Sequence, residues 1–133
     1  MSSIINASIS SNGIVSTADA SGILLCQSNG VNTNARAWAN WDGTSSSPST
    51  IRSSYNVSSI TKAGTSQYTI NFTNALTNSN YAVVASAGIS GNTSPNGIIM
   101  TANQINTTSC YVGTRNGANS DSTYDSVSMV VFG

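Results

Sequence analysis

Apolar and polar residues alternate along most of this chain with a period of two. The cleanest case is Gln67–Phe72, where Tyr68, Ile70 and Phe72 point one way and Gln67, Thr69 and Asn71 the other. That pattern predicts a half-buried strand of an antiparallel sheet. At the C-terminus Val127, Met129 and Val131 alternate with Ser126, Ser128 and Val130 and end in Phe132. Residues 35–41 set Ala37, Ala39 and Trp41 against Arg36, Trp38 and Asn40. Residues 51–57 set Ile51, Ser53, Tyr55 and Val57 against Arg52, Ser54 and Asn56. The run at 81–85, with Val83 and Val84 at its centre, reads as a strand buried on both faces. Shorter strands are expected at 13–17, 22–27, 98–102 and 109–113. Asn12-Gly13, Asn29-Gly30, Asp42-Gly43, Asn96-Gly97 and Asn116-Gly117 supply turn signals between them, because both residue types tolerate positive φ.

No window reads as a helix: Glu is absent, Leu occurs only at 24, 25 and 76, and the abundant small polar residues favour strands and turns. Short strands separated by turn signals predict an all-β fold, a single antiparallel β-sandwich or jelly-roll-like domain over residues 31–133. Residues 1–30 differ in texture. Ile4, Ile5 and Ile9, then Ile23, Leu24 and Leu25, form apolar islands in Ser, Asn and Gly surroundings. They are expected to form an N-terminal extended arm that attaches to a neighbour, or the first strands of the domain. A sandwich of this size, poor in large aliphatic residues, has a modest core. Assembly into a homotrimer would add the missing burial.

Composition narrows the chemistry. Ser, Thr and Asn fill 58 of 133 positions, only eight residues are charged, and those charges cancel. With 38% hydrophobic residues in short runs and no net charge, the chain lies apart from the disordered class. The absence of histidine excludes Ser-His-Asp and Cys-His nucleophilic systems and every His-based metal site. Scattered cations without a basic patch exclude a nucleic-acid partner. No apolar run approaches the roughly 18 residues of a membrane-spanning helix, so no membrane insertion is expected. The first six residues, MSSIIN, have neither the basic end nor the apolar stretch of an export signal, which points to synthesis in a cytoplasm. Cys26 and Cys110 are too far apart for a redox motif and read as small core residues, unbonded in a reducing compartment.

Few residues invite a chemical role. Asp121 and Asp125, four apart, could serve glycoside hydrolysis or calcium binding, but a solvated loop before the last strand accounts for them. Asp42 is expected to cap its Asp-Gly turn. No catalytic residue, metal site or cofactor is expected. The candidate interface or ligand contacts are Arg36, Trp38, Trp41, Arg52 and Tyr55. The two tryptophans differ in strand parity, so one is expected in the core and the other at a sugar or a subunit interface. Arg36 and Arg52, on polar faces of adjacent expected strands, suit carbonyls or carboxylates across a contact.

Residues 35–44 read ARAWANWDGT, 51–62 read IRSSYNVSSITK, 63–73 read AGTSQYTINFT, and 80–84 read NYAVV. These blocks resemble a recurrent pattern in small structural proteins of tailed bacteriophages of aquatic bacteria and cyanobacteria, where they run approximately A-R-A-W-V-N-F-N-G-T and I-R-x-S-F-N-V-S-S-I-T-x-x-G-T-G-x-Y-T-V-N-F-T. The resemblance covers 35–84. Ser66 departs from it by standing where the family often has Gly, at the turn of a hairpin. Such domains occur in tail fibres and other virion proteins, similar to trimeric β-structured appendage tips. The resemblance implies a virion surface protein and assigns no site.

Two functions follow as expectations. One is a trimeric tail-fibre-like head whose loops at 43–50, 88–97 and 113–125 meet host surface glycans. The alternative is a capsid decoration protein that clamps the head lattice through the arm at Ile4, Ile5 and Ile9. The family commonly sets this domain behind a longer N-terminal segment, and the shorter one here is what brings the decoration role into consideration. In either case the partners are other virion proteins. An enzyme, such as a glycan-depolymerising spike, is set aside for want of a credible carboxylate pair.

Overall fold

A computed structural model describes residues 27–28, 31–32, 34–89 and 99–133 of the chain. The strands expected at 13–17 and 22–26, the arm residues Ile4, Ile5 and Ile9, Cys26, and most of the 88–97 loop lie outside the described residues. Ten strands are present among those described: β1 Gln27–Ser28, β2 Val31–Asn32, β3 Ala37–Trp41, β4 Ile51–Tyr55, β5 Val57–Gly64, β6 Gln67–Phe72, β7 Ala82–Gly88, β8 Ile99–Asn106, β9 Ser109–Arg115 and β10 Ser126–Phe132. The described residues contain no helix, as the composition predicted. Ser28 pairs with Val31, so the small β1–β2 sheet spans the boundary at 30/31 between the expected arm and domain.

Eight strands form an antiparallel β-sandwich. The front sheet has the order β4-β3-β10-β7 and the back sheet β5-β6-β9-β8. The chain crosses between layers after β4, β6, β7 and β9, so every sheet contains strands distant in sequence. The inner faces agree with the alternation read at 35–41, 67–72 and 126–132, and β5 and β9 add Ile60, Cys110 and Val112. Ala37, Ala39, Trp41, Val127, Met129 and Val131 come from the front, and Ile60, Tyr68, Ile70, Phe72, Cys110 and Val112 from the back, all buried. Trp41 meets the Tyr68 ring edge-on across the layers, 5.5 Å between centroids at 68°. Phe72 and Tyr81 make the same kind of contact at 6.1 Å and 72°. Aromatic pairs of this geometry add roughly 0.5–1.5 kcal/mol each beyond the area that they bury.

Two expectations about strand faces are corrected. In β7, Val83, Ala85 and Ala87 turn inward and are half-buried, while Ala82, Val84 and Ser86 are exposed. Among the described residues β7 pairs only with β10, so the run at 81–85 stands at the edge of the described sheet with one outward, exposed face. In β4, a register shift between Asn40 and Trp41 lets Trp41 pair with Ile51 while Asn40 pairs with Ser53. Such a bulge inverts parity along the strand. Ser54 consequently lies opposite buried Ala39, and Tyr55 comes out on the solvent face rather than joining Ile51 and Val57.

The layers are fastened at their ends by side chains that the turns make available. Asn56, in the left-handed region at φ 55°, donates through Nδ2 to the carbonyls of Arg36 and Asn74, both at 3.1 Å. Its Oδ1 accepts from the Asn74 amide at 2.8 Å. The Tyr68 hydroxyl donates to the Gly43 carbonyl at 2.8 Å, and Lys62 Nζ reaches the same carbonyl at 2.8 Å and that of Ser45 at 3.2 Å. A Cβ on Gly43 would stand 2.7 Å from the Tyr68 hydroxyl, so no side chain fits there. Ser66, at the β5–β6 turn where the resembling family has Gly, is buried, and its carbonyl accepts from the Thr114 amide at 3.0 Å. The hairpin closes with Ser in that place.

Candidate functional site

A sheet with one wet face ordinarily carries polar residues there. The outer face of the front sheet breaks that rule along one line. Register pairs Tyr55 of β4 with Trp38 of β3, Trp38 with Val130 of β10, and Val130 with Val84 of β7. Parity turns all four away from the core, so they form a continuous apolar row across the full width of the sheet. Trp38, Tyr55 and Val84 are 38%, 49% and 58% exposed, and Phe132 extends the patch one outward position along β10 at 41%. The adjacent row, Ser53, Asn40, Ser128 and Ser86, is uncharged. It is braced from within: Asn40 Nδ2 donates to Ser128 Oγ at 2.8 Å and to the Val127 carbonyl at 3.2 Å.

Of the candidates read from the sequence, Trp38 and Tyr55 are brought together as direct cross-strand partners. Trp41 is wholly buried and leaves the set of surface contacts; it is the core member of the tryptophan pair. Arg36 and Arg52 fall at opposite ends of β3. Arg52 donates to the Trp41 carbonyl at 3.1 Å. Arg36 borders a cleft of about 230 Å³ with Leu76, Thr77, Asn78, Tyr81 and Gly133, and its nearest polar side-chain contact there is Thr77 Oγ1 at 3.5 Å. Sequence reasoning missed Val130 and Val84. Val130 was visible as an apolar residue on the serine face of its strand. Val84 was hidden in a run that suited burial on both faces.

The outer face of the back sheet has a different texture. Register sets Thr61, Thr69, Tyr111 and Asn103 in one row and Gly64, Gln67, Gly113 and Thr101 in the next. Neither row holds a charge. Arg115, the next outward position on β9, is neutralised by Asp121 at 3.4 Å and donates to Asn119 Oδ1 at 3.1 Å.

Three further titratable groups, Asp42, Cys110 and Asp121, are held by their own surroundings. Thr44 donates to Asp42 Oδ1 through its hydroxyl at 2.6 Å and its amide at 2.9 Å, and these bonds hold the Asp42 carboxyl below its ordinary range. Asp42 thus caps its turn as expected. Cys110 is a free, buried thiol pushed up to about 12 by burial, which leaves it in the unreactive neutral form. Asp121 pairs with Arg115 at 3.4 Å. Among the described residues, no three His, Cys, Asp or Glu side chains gather as a metal site would require, and no helix is long and apolar enough to cross a membrane. Compared with protein-family models, curated proteins and solved structures, the chain matches none.

Proposed function

We propose that this protein is a structural component of a tailed-bacteriophage particle surface: the head of a trimeric, tail-fibre-like appendage that meets host surface glycans. The observation that carries the reading is the apolar row Tyr55–Trp38–Val130–Val84 on the outer face of the front sheet. A small β-sandwich has no need of a tryptophan, a tyrosine and two valines aligned in water. A row of this kind, with the neutral row Ser53, Asn40, Ser128 and Ser86 on one side and Arg36 at the rim on the other, suits burial of its centre against another protein surface without a desolvated charge. A second copy of the same chain is the occupant proposed here: around a closed threefold axis the row of each copy would pack against its neighbours, and the adjoining row Ser53, Asn40, Ser128 and Ser86 brings no charge into that contact. The uncharged loop at 43–50 and the uncharged rows of the back sheet support the outward, glycan-facing part of the role. The resemblance over 35–84 to phage structural proteins supports the setting.

The test has two arms. Analytical ultracentrifugation at micromolar concentration is expected to give a trimer, and a stable monomer would overturn the assembly. Gold-labelled antibody against the protein is expected to decorate the tail of phage particles. Label on the shell would instead establish the capsid decoration role, and label on neither would remove the virion assignment.

A further inference from the structure

We infer that the outer face of the back sheet is a binding platform for a neutral polysaccharide, centred on the Tyr111 ring. The assignment deepens the glycan-facing role proposed above by naming its site and ligand class.

The platform starts from a glycine. On β9 the outward positions run Tyr111, Gly113, Arg115, while Cys110 and Val112 fill the core. A Cβ on Gly113 would lie 2.8 Å from the Tyr111 hydroxyl, 3.2 Å from Cε1 of the same ring and 2.5 Å from Thr101 Oγ1. The space a side chain would occupy is therefore taken by the Tyr111 ring, which lies along its own strand instead of standing up from the sheet. Gly113 is buried as a result, and Tyr111 is only half-buried. The ring thus rests over Gly113 by its Cε1 and hydroxyl edge, and as a half-buried side chain it leaves part of its surface to solvent. The C–H face of a pyranose packs on such a ring by the dispersion and quadrupole attraction that governs aromatic contacts.

Around the ring stand hydrogen-bonding groups whose side chains are unbonded among the described residues. Thr69 and Asn103 flank Tyr111 in register, and Gln67 and Thr101 flank Gly113. The side chains of these four residues, and the Tyr111 hydroxyl, make no hydrogen bond within the described protein. The contrast with the front sheet is direct, because there Asn40 spends its amide on Ser128 and Val127. Hydroxyls and amides that both donate and accept match sugar hydroxyls, which do the same. The ligand is neutral because the platform is: the nearest charge in register, Arg115, is already paired with Asp121. A carboxylated or sulfated chain would find no cation to compensate its desolvation.

Isothermal titration of the full-length protein tests this with cellohexaose, maltohexaose and mannohexaose as neutral probes and hexagalacturonate as the charged one. At least one neutral probe is expected to bind and hexagalacturonate is not. Tyr111→Ala is expected to weaken the neutral probe about tenfold, the scale of one aromatic stacking contact. Tyr111→Phe, which keeps the ring, retains most of the affinity. Asn103→Asp, which sets a charge beside the ring without touching the core, weakens binding while leaving the melting temperature unchanged. Loss of neither affinity, binding of none of the neutral probes, or preference for hexagalacturonate would overturn the platform. Sedimentation of the same samples separates the two claims: a protein that forms trimers but binds no neutral sugar refutes the platform alone. A monomer that binds sugar through Tyr111 refutes the assembly alone.

Discussion

The two outer faces of this sandwich are built on nearly the same backbone and carry opposite surfaces. Each belongs to a four-stranded antiparallel sheet with two central and two edge strands. Each sheet sends its alternate residues into one shared core. On the front, one cross-strand row of outward positions is Tyr55, Trp38, Val130 and Val84; on the back the corresponding row is Thr61, Thr69, Tyr111 and Asn103. Inward positions are constrained by packing and can say little beyond the fold. Outward positions are free of that constraint, so a consistent texture across four strands marks what the face meets. An apolar row is costly in water and suited to another protein. A hydroxyl and amide lattice is at home in water and suited to a ligand that resembles water in its hydrogen bonding.

The comparison breaks most sharply at Trp38. Trp38→Glu puts a charge into the centre of the proposed contact, where it would lose its hydration on assembly. An unpaired charge buried in this way costs about 3 kcal/mol or more, so association should weaken by roughly a hundredfold or more. Sedimentation velocity should show monomer. Thr69→Glu, the equivalent change on the back sheet, should leave the proposed trimer intact. If both variants dissociate, or neither does, the two faces do not differ in the way argued.

The glycines offer a second contrast, in stability rather than assembly. Gly113→Ala drives a methyl group against Thr101 Oγ1, the Tyr111 hydroxyl and Cε1. Relief requires the ring and Thr101 to move, at a cost of about 1–3 kcal/mol. Gly88, at the edge of the front sheet, has nothing within 4 Å of an added Cβ. Gly88→Ala should be neutral or raise stability by up to about 1 kcal/mol through the unfolded chain. Urea unfolding monitored by Trp fluorescence reads both. Equal effects at the two sites would show that the ring does not rest on Gly113.

How much of this was legible in the sequence follows from what a period of two can carry. Alternation at Gln67–Phe72 and Ser126–Phe132 identified which residues enter the core, and it separated Trp38 from Trp41 correctly. The parity of β4 was not legible, because the bulge at Asn40/Trp41 leaves no mark in composition. Val84 was ambiguous because two adjacent valines suit either a central or an edge strand. The row itself was out of reach. It joins residues 38, 55, 84 and 130 through register between strands that are distant along the chain, and register is a property of the folded sheets. The Tyr111 platform had a faint signal, a tyrosine and a glycine two apart at outward parity. That spacing alone does not say that the ring lies down.

The shared core supplies a third test, in alkaline solution. Burial holds the hydroxyls of Tyr68 and Tyr81 protonated above their ordinary value of 10.0, and it pushes the Cys110 thiol up to about 12. For an acid whose folded pKa is raised, the neutral form is the one that the fold favours. The stability it contributes is whole below the unfolded value and is lost as pH rises through the folded one. Stability should therefore hold to about pH 9 and fall progressively above it. Ultraviolet titration should show Tyr68 and Tyr81 ionising late, identified by Tyr68→Phe and Tyr81→Phe. In a Cys26→Ser background, Cys110 should resist thiol reagents at pH 8 until the protein unfolds. Ready labelling of the native state would mean that the layers do not close over it.

The smallest effect is the most discriminating for the comparison, because it uses the same residue type on both faces. Asn40 and Asn103 are each outward-facing asparagines in strands. Asn40 Nδ2 is held by Ser128 Oγ at 2.8 Å and the Val127 carbonyl at 3.2 Å, so it ties β3 to β10 beside the apolar row. Asn103 makes no such bond among the described residues and is exposed. Removing a half-buried, bonded amide costs about 1 kcal/mol net, whereas removing an exposed, unbonded one stays within roughly 0.5 kcal/mol. Asn40→Ala should thus lower the urea midpoint while Asn103→Ala leaves it in place. The order should reverse in the titration with neutral hexasaccharides, where Asn103→Ala weakens binding and Asn40→Ala does not. That crossing of effects follows only if one lattice of amides braces the fold and the other is held open for a ligand.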